Sequence, residues 1–263
     1  MDASWKEKGR FFLKSRWPEL KEIETDRQKR AELPAMQKAA ETEMIISLSD
    51  SEELTERFGK EISLTGAFLA RETNRVYTEA SLSQDELAYL LWAVQGVRMK
   101  KPRVSFRTVP SGGARHPFET YLFVQRVTGL EPGLYRYLPL DHQLVFIKPA
   151  GEYGDNLEDL LDEALLKHNF HGAVTFIWTA IPRRSEWSYA SEAARLILLD
   201  AGHMVGHLYL ACQAVGCGTC AVGAFDQQQT DKLLGVDGID EFTVYTAPVG
   251  KLKEKGSVQF RSS

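Results

Sequence analysis

Three short stretches of this 263-residue chain carry residue types able to hold an anionic or flat ligand. Arg71-Glu72-Thr73-Asn74-Arg75 sets two guanidinium groups four positions apart with a hydroxyl between them. On a helix both arginines would share a face, and forked donors beside a hydroxyl suit a phosphate; the same pattern also fits a solvated charged face. Pro110-Ser111-Gly112-Gly113, ahead of the apolar run Tyr121 to Val124, lets main-chain amides approach a ligand while Pro110 and Pro117 fix the loop's shape. Gly216 to Asp226 repeats that logic, with Gly218 and Gly223 opening the backbone and Phe225 placed to close over a ligand. The apolar run Thr243 to Gly250 then delivers Lys251 at its end.

The elements that must position these residues are legible in the periodicity. Ser83-Gln84-Asp85-Glu86 is a capping box, and Leu87, Leu90, Leu91 and Val94 recur at helical spacing until Gly96. Strands are expected over about 119–127, 133–138 and 143–148, the last two joined by Pro139 to His142. Asn156 begins another helix, and Ala173 to Ile181 reads as a buried strand because its apolar run is nearly continuous. From about Ser191 to Val215 runs a helix apolar nearly all round, suited to a monomer core or to an interface with a second copy. Residues 1–60 read as an arm with aromatic anchors Trp5, Phe11, Phe12 and Trp17, packing on the body or on a partner subunit, with disorder in part of it as the alternative. Residues 61–263 form the main domain, and the fold class is α+β, a mostly antiparallel sheet with helices around it.

In order and spacing these pieces resemble the nitroreductase family of flavin enzymes, and within it the SagB-type dehydrogenase branch that includes thiazoline and oxazoline oxidases. The resemblance runs from about Thr65 to Lys251 and is most specific at Arg107 to Pro117, Gly129 to Tyr135, Leu199 to His203 and Val222 to Asp226. It implies an intertwined homodimer with FMN at the interface. By resemblance, Arg71, Glu72, Thr73 and Arg75 belong to the cofactor-binding set, the arginines and hydroxyl taking phosphate and ribityl or pyrimidine oxygens, with Lys251 joining at the phosphate. Pro110, Ser111, Gly112 and Gly113 would line the isoalloxazine ring from the partner, and Val222, Gly223 and Ala224 would face its reactive N5 edge. The activity implied is hydride transfer between NAD(P)H and a small organic acceptor such as a nitroaromatic or quinone. The alternatives are oxidation of azoline-like groups in a modified peptide and a non-catalytic flavin-binding partner subunit. The azoline-oxidising members carry a Lys-Tyr pair after a tryptophan, whereas this chain reads Trp187-Ser188-Tyr189. Ser188 cannot replace an amine base, which counts against azoline oxidation. Tyr189 remains as a candidate catalytic residue that orients substrate, or as an aromatic packed at a helix mouth.

Composition narrows the class further. A net charge of −4 leaves no footprint for nucleic acid, no apolar run reaches membrane-spanning length, and Met1 to Lys8 lacks a signal peptide's apolar core, so a cytoplasmic location is expected. Cys212, Cys217 and Cys220 read as small buried residues in a reducing compartment. His203 and His207 sit four apart without a third ligand and read as packing residues, so no metal is expected. His116, in the glycine loop, reads as an exposed loop histidine or a substrate contact.

Overall fold

The computed structural model describes residues 3–154 and 156–253. Met1, Asp2 and the last ten residues of the expected 61–263 domain lie outside that range. In chain order the helices are α1 (Ala3–Leu13), α2 (Trp17–Leu20), α3 (Ser51–Phe58), α4 (Leu64–Ala70), α5 (Gln84–Gln95), α6 (Leu157–Ala164), α7 (Arg183–Tyr189), α8 (Ala193–Ala214) and α9 (Gln227–Leu234). The strands are β1 (Ile45–Ser47), β2 (Val97–Lys101), β3 (Val104–Arg107), β4 (Phe118–Val124), β5 (Gly133–Leu138), β6 (Gln143–Pro149), β7 (Val174–Ala180), β8 (Cys217–Thr219) and β9 (Phe242–Lys251).

Seven strands form one sheet in the order β1-β6-β5-β4-β7-β9-β8, each neighbouring pair antiparallel. β4 and β7 lie in its middle and are buried along their whole lengths, because helices cover both faces. On one face α5 and α8 pack with Leu54 and Phe58 of α3 on Leu122, Tyr137, Phe176 and Trp178. On the other, Leu157 and Leu161 of α6 and Leu234 of α9 meet Tyr121, Phe123 and Ile177. The capping box of α5 is complete, Ser83 accepting from the Glu86 amide and Glu86 from the Ser83 amide, and Gly96 ends the helix.

Two segments take a form that the sequence alone left open. Arg71 to Arg75 is not helical: α4 stops at Ala70, and Arg71 turns to ψ 118°. The chain then runs without regular structure, its Asn74 amide donating to the Thr219 carbonyl at 3.0 Å instead of to a preceding turn. Arg71 and Thr73 are nonetheless brought together by a shared neighbour, Tyr209. In the arm, the expected aromatic anchors are exposed on this chain: Trp5 66%, Phe11 55%, Phe12 37% and Trp17 39%. What clips the arm to the body is the polar stretch after them. Arg184 donates to the Ala35 carbonyl (2.8 Å), Arg107 to that of Met36 (3.0 Å) and Arg136 to that of Ala39. Residues 45–47 then add β1 to the sheet edge, and Leu54 enters the core, so the last part of the 1–60 segment is built into the body.

Candidate functional site

The long helix α8 organises the candidate residues. Near its middle Asp200, buried against the core, accepts from the Ser111 hydroxyl at 2.5 Å and from the Gly112 amide at 3.2 Å. The Ser111 oxygen in turn accepts from the His116 amide at 2.9 Å, which fixes the loop carrying Pro110 to Gly113. Burial raises the pKa of Asp200, and the bonds from Ser111 and Gly112 oppose that rise. His116 is buried rather than exposed; its Nε2 lies 3.1 Å from the Ser105 carbonyl, and burial, with Arg107 nearby, lowers its pKa to about 3. It is therefore a neutral imidazole that braces the loop from beneath. Tyr189, at the end of α7, lies on the outer side of the same loop: a Cβ built on Gly113 would fall 2.2 Å from its hydroxyl, and Gly113 itself has φ +58°. A glycine at 113 thus satisfies both the left-handed backbone and the close approach of Tyr189.

Further along α8, Tyr209 gathers the second group. Its ring lies under the Arg71 guanidinium at 5.6 Å, its hydroxyl is 3.4 Å from that of Thr73, and it accepts from the Ala221 amide at 2.9 Å. Arg75 stands close enough to Cys220 to oppose the rise that burial causes in that thiol's pKa. Asn74 points inward against Gly218, where any Cβ would collide with it at 2.5 Å. Glu72 accepts from the Asn74 side chain at 3.2 Å. Among the described residues neither Arg71 nor Arg75 pairs with a carboxylate. The main-chain amides of Gly223 and Ala224 stand in an exposed loop beyond Val222, whose own amide bonds the Thr246 carbonyl at 2.8 Å. Lys251 reaches this end through the pairing of β8 with β9, but its ammonium is held by Glu86 (2.5 Å) and the Val215 carbonyl (2.8 Å).

The structure therefore brings together Arg71, Thr73, Arg75 and the 219–224 loop in one place, and Pro110 to Gly113 with Tyr189 in another. Asp200 and Tyr209 are nine positions apart, about 13 Å along the axis and two and a half turns, so the groups flank α8 on opposite sides. Sequence reasoning missed the organising roles of Tyr209 and Asp200. The latter stands in the Leu199 to His203 run, and the signal for the former is a tyrosine interrupting an apolar helix. Among the described residues no cluster of His, Cys, Asp and Glu could hold a metal ion, and no helix is long and apolar enough to cross a membrane.

A model of the nitroreductase family matches residues 69–251 of the chain. The chain belongs to the nitroreductase family. Its oxidoreductase character follows from that membership, and the flanking of α8 by the two groups is the geometry this family member offers. A Methanocaldococcus jannaschii protein, MJ1384, which carries a nitroreductase name, is 32% identical over 194 residues, 73% of this chain and 92% of the relative. The trifolitoxin-processing protein TfxB of Rhizobium leguminosarum bv. trifolii is 31% identical over 112 residues, 42% of this chain and 30% of TfxB. Among solved structures, a nitroreductase-family protein from Anabaena variabilis superposes with a TM-score of 0.68 at 23% identity, covering 90% of this chain and 44% of that one. A chain of the Escherichia coli microcin synthetase McbBCD complex, solved with truncated pro-MccB17, gives 0.55 at 17% identity over 83% of this chain and 90% of that one. These last two likenesses show the nitroreductase fold.

Proposed function

We propose that this family member is an FMN-dependent oxidoreductase that passes hydride between NAD(P)H and a small organic acceptor such as a nitroaromatic or quinone. The observation that carries the reading is the docking of Arg71, Thr73 and Arg75, both guanidiniums without a carboxylate partner among the described residues, beside the exposed loop of Gly223 and Ala224. That donor set fits the cofactor: a phosphate monoester is nearly doubly charged at neutral pH, and paired guanidiniums with a hydroxyl supply charge-assisted bonds to it. Asn74, whose Oδ1 is buried with no hydrogen-bond partner, adds an unused acceptor next to the same segment. A Desulfovibrio desulfuricans structure of this fold, solved with FMN, supports the choice of flavin (TM-score 0.50, 16% identity, 77% of this chain and 94% of that one).

In such a site the flavin supplies the hydride chemistry. This chain's residues bind and orient: Arg71, Thr73 and Arg75 hold the phosphate end, and the amides of Gly223 and Ala224 offer donors where negative charge develops. Lys251 is committed to Glu86 and is not needed for that set. Pro110 to Gly113 lie on the far flank of α8 from Arg71 to Arg75, so one chain cannot line both ends of one flavin with them. Two copies packed through α8 can. Leu198 and Leu199, each 50% exposed, and Gly202 and Gly206, where an added Cβ would meet nothing within 4 Å, leave that helix a smooth apolar face for a second copy.

The similarity to TfxB favours a second reading, a role in peptide modification as a dehydrogenase or partner subunit, against which Ser188 stands in the lysine position. One experiment separates them. The absorption spectrum of the purified protein, with released cofactor identified by mass, is recorded before and after anaerobic NADH or NADPH. Yellow protein yielding FMN and bleached by a nicotinamide supports the reductase. Yellow protein that refuses to bleach supports the second reading, and colourless protein that cannot be reconstituted with FMN sinks both.

A further inference from the structure

Around Tyr189 lies a concentration of positive charge that the flavin reading does not use. Arg115 follows the glycine loop; its guanidinium sits 5.3 Å over the Trp187 ring and donates to the Gly113 carbonyl at 3.3 Å and the Arg103 carbonyl at 3.4 Å. Arg27, from the arm, is brought to the same place by its amide, which donates to the Trp187 carbonyl at 2.8 Å. Two carboxylates on this flank are already taken, Asp26 by Arg183 and Glu192 by Arg16. Among the described residues none of Arg27, Arg103 and Arg115 pairs with a carboxylate. Burial lowers the pKa of Arg115; Tyr189 opposes that, and the neighbouring charges of Arg27 and Arg103 lower it further. In a chain of net charge −4 this is a local reversal of sign. Beside it opens a cavity of about 610 Å³ lined by Trp17, Pro18, Leu20, Arg27 and Ser188, and Trp17 meets Tyr189 edge-on at 5.6 Å.

We infer that this arginine-rimmed aromatic cleft recognises an anionic oxygen group, a carboxylate or phosphate, on the molecule that exchanges electrons at the Tyr189 side of the site. Like charges held together without a counter-ion cost stability, and an anionic ligand relieves that cost while taking forked donors. Trp17, which lines the cavity, and Tyr189, which it meets edge-on, provide aromatic surface for the body of such a ligand, and Arg115, stacked on the buried Trp187, has its fork oriented before the ligand arrives. The arm thereby becomes a wall of the substrate site. The inference rests on the proposed electron-transfer reading for its biological sense, while the binding it asserts can be measured without turnover.

The test is calorimetric titration of the full chain with two matched pairs, 4-nitrobenzoate against nitrobenzene and NADP⁺ against NAD⁺. One charge-assisted contact predicts that the wild type prefers the more anionic member of at least one pair by about tenfold. Arg115→Ala should bring that ratio close to one, Arg115→Lys should retain part of it, and Arg27→Ala, at an exposed arm position, should lower it severalfold. Preference within the nitroaromatic pair assigns the anion to the acceptor, and preference within the nucleotide pair assigns it to the reductant. Equal binding within both pairs by the wild type overturns the inference, as does a preference that survives in Arg27→Ala and in folded Arg115→Ala. Flavin content, read from the absorption of the same samples, reports separately on the proposed function: colourless protein that still discriminates by charge would remove the flavin and leave the cleft.

Discussion

His116 ties the chemistry of one side chain to the shape of the glycine loop. Its amide holds Ser111, its ring meets the Ser105 carbonyl, and Arg107 and Arg184 stand near enough to repel a proton from it. The sign of the pH effect follows. Above the ordinary histidine pKa both folded and unfolded chains carry it neutral and it contributes nothing. Between about 6.5 and the folded value of about 3, the unfolded chain takes up a proton that the fold refuses, so stability falls as pH falls. One group can contribute at most about 1.4 kcal/mol per pH unit in that window. Urea midpoints measured between pH 7 and pH 5 should therefore decline, and His116→Gln, whose amide can still donate to Ser105, should flatten the decline by about one proton. An unchanged slope in that variant would show that His116 is not the group concerned. None of this was visible in the sequence, where His116 is a loop residue beside prolines; its burial is set by the packing of β3 against it and by Arg184, distant in the chain.

At the scale of elements, the segment Ala35–Glu41 crosses the body on a buried charge network. Glu119 pairs with Arg136 at 2.8 Å and Arg184 at 2.5 Å, all three nearly inaccessible, and both guanidiniums also reach strap carbonyls. Burial alone would raise the pKa of Glu119, but Arg184 and Arg136 outweigh it and hold it below the usual carboxylate range. Glu119→Gln would leave two guanidiniums without that anion, and removing one partner of such a buried pair costs about 3–5 kcal/mol. The expected result is a large drop in the denaturant midpoint, with proteolysis of the native state beginning within residues 20–45. A loss under about 1 kcal/mol would show that the strap is held by its backbone and side-chain contacts alone. Local elements were readable because their causes are local: the capping box of α5, the turn between β5 and β6, the apolar run of β7. The strap was not, because its partners at 107, 136 and 184 are set by tertiary placement. The conformation of the Arg71 to Arg75 segment was not legible for the same reason: the Asn74 amide bonds the Thr219 carbonyl, a partner that no local pattern encodes.

For the molecule as a whole, the decisive feature is that α8 presents its two flanks to different halves of the proposed flavin site. The composition of α8 showed a helix apolar nearly all round; only the fold shows which apolar residues remain outside, Leu198 and Leu199 beside Gly202 and Gly206. In a twofold dimer each substitution on that face enters the interface twice, so a charge at 199 is desolvated and opposed by its own copy. Leu199→Glu should weaken self-association more than a hundredfold while leaving the monomer folded, since the leucine side chain is already half exposed. If Pro110 to Gly113 of one copy complete the site of the other, flavin content must fall together with the mass measured by light scattering, and both should recover at high protein concentration. A monomer that keeps its full flavin would show that the two flanks of α8 serve different purposes. A dimer indifferent to Leu199→Glu would move the interface elsewhere, with the exposed Leu64, Phe68 and Leu69 of α4 as the next face to test.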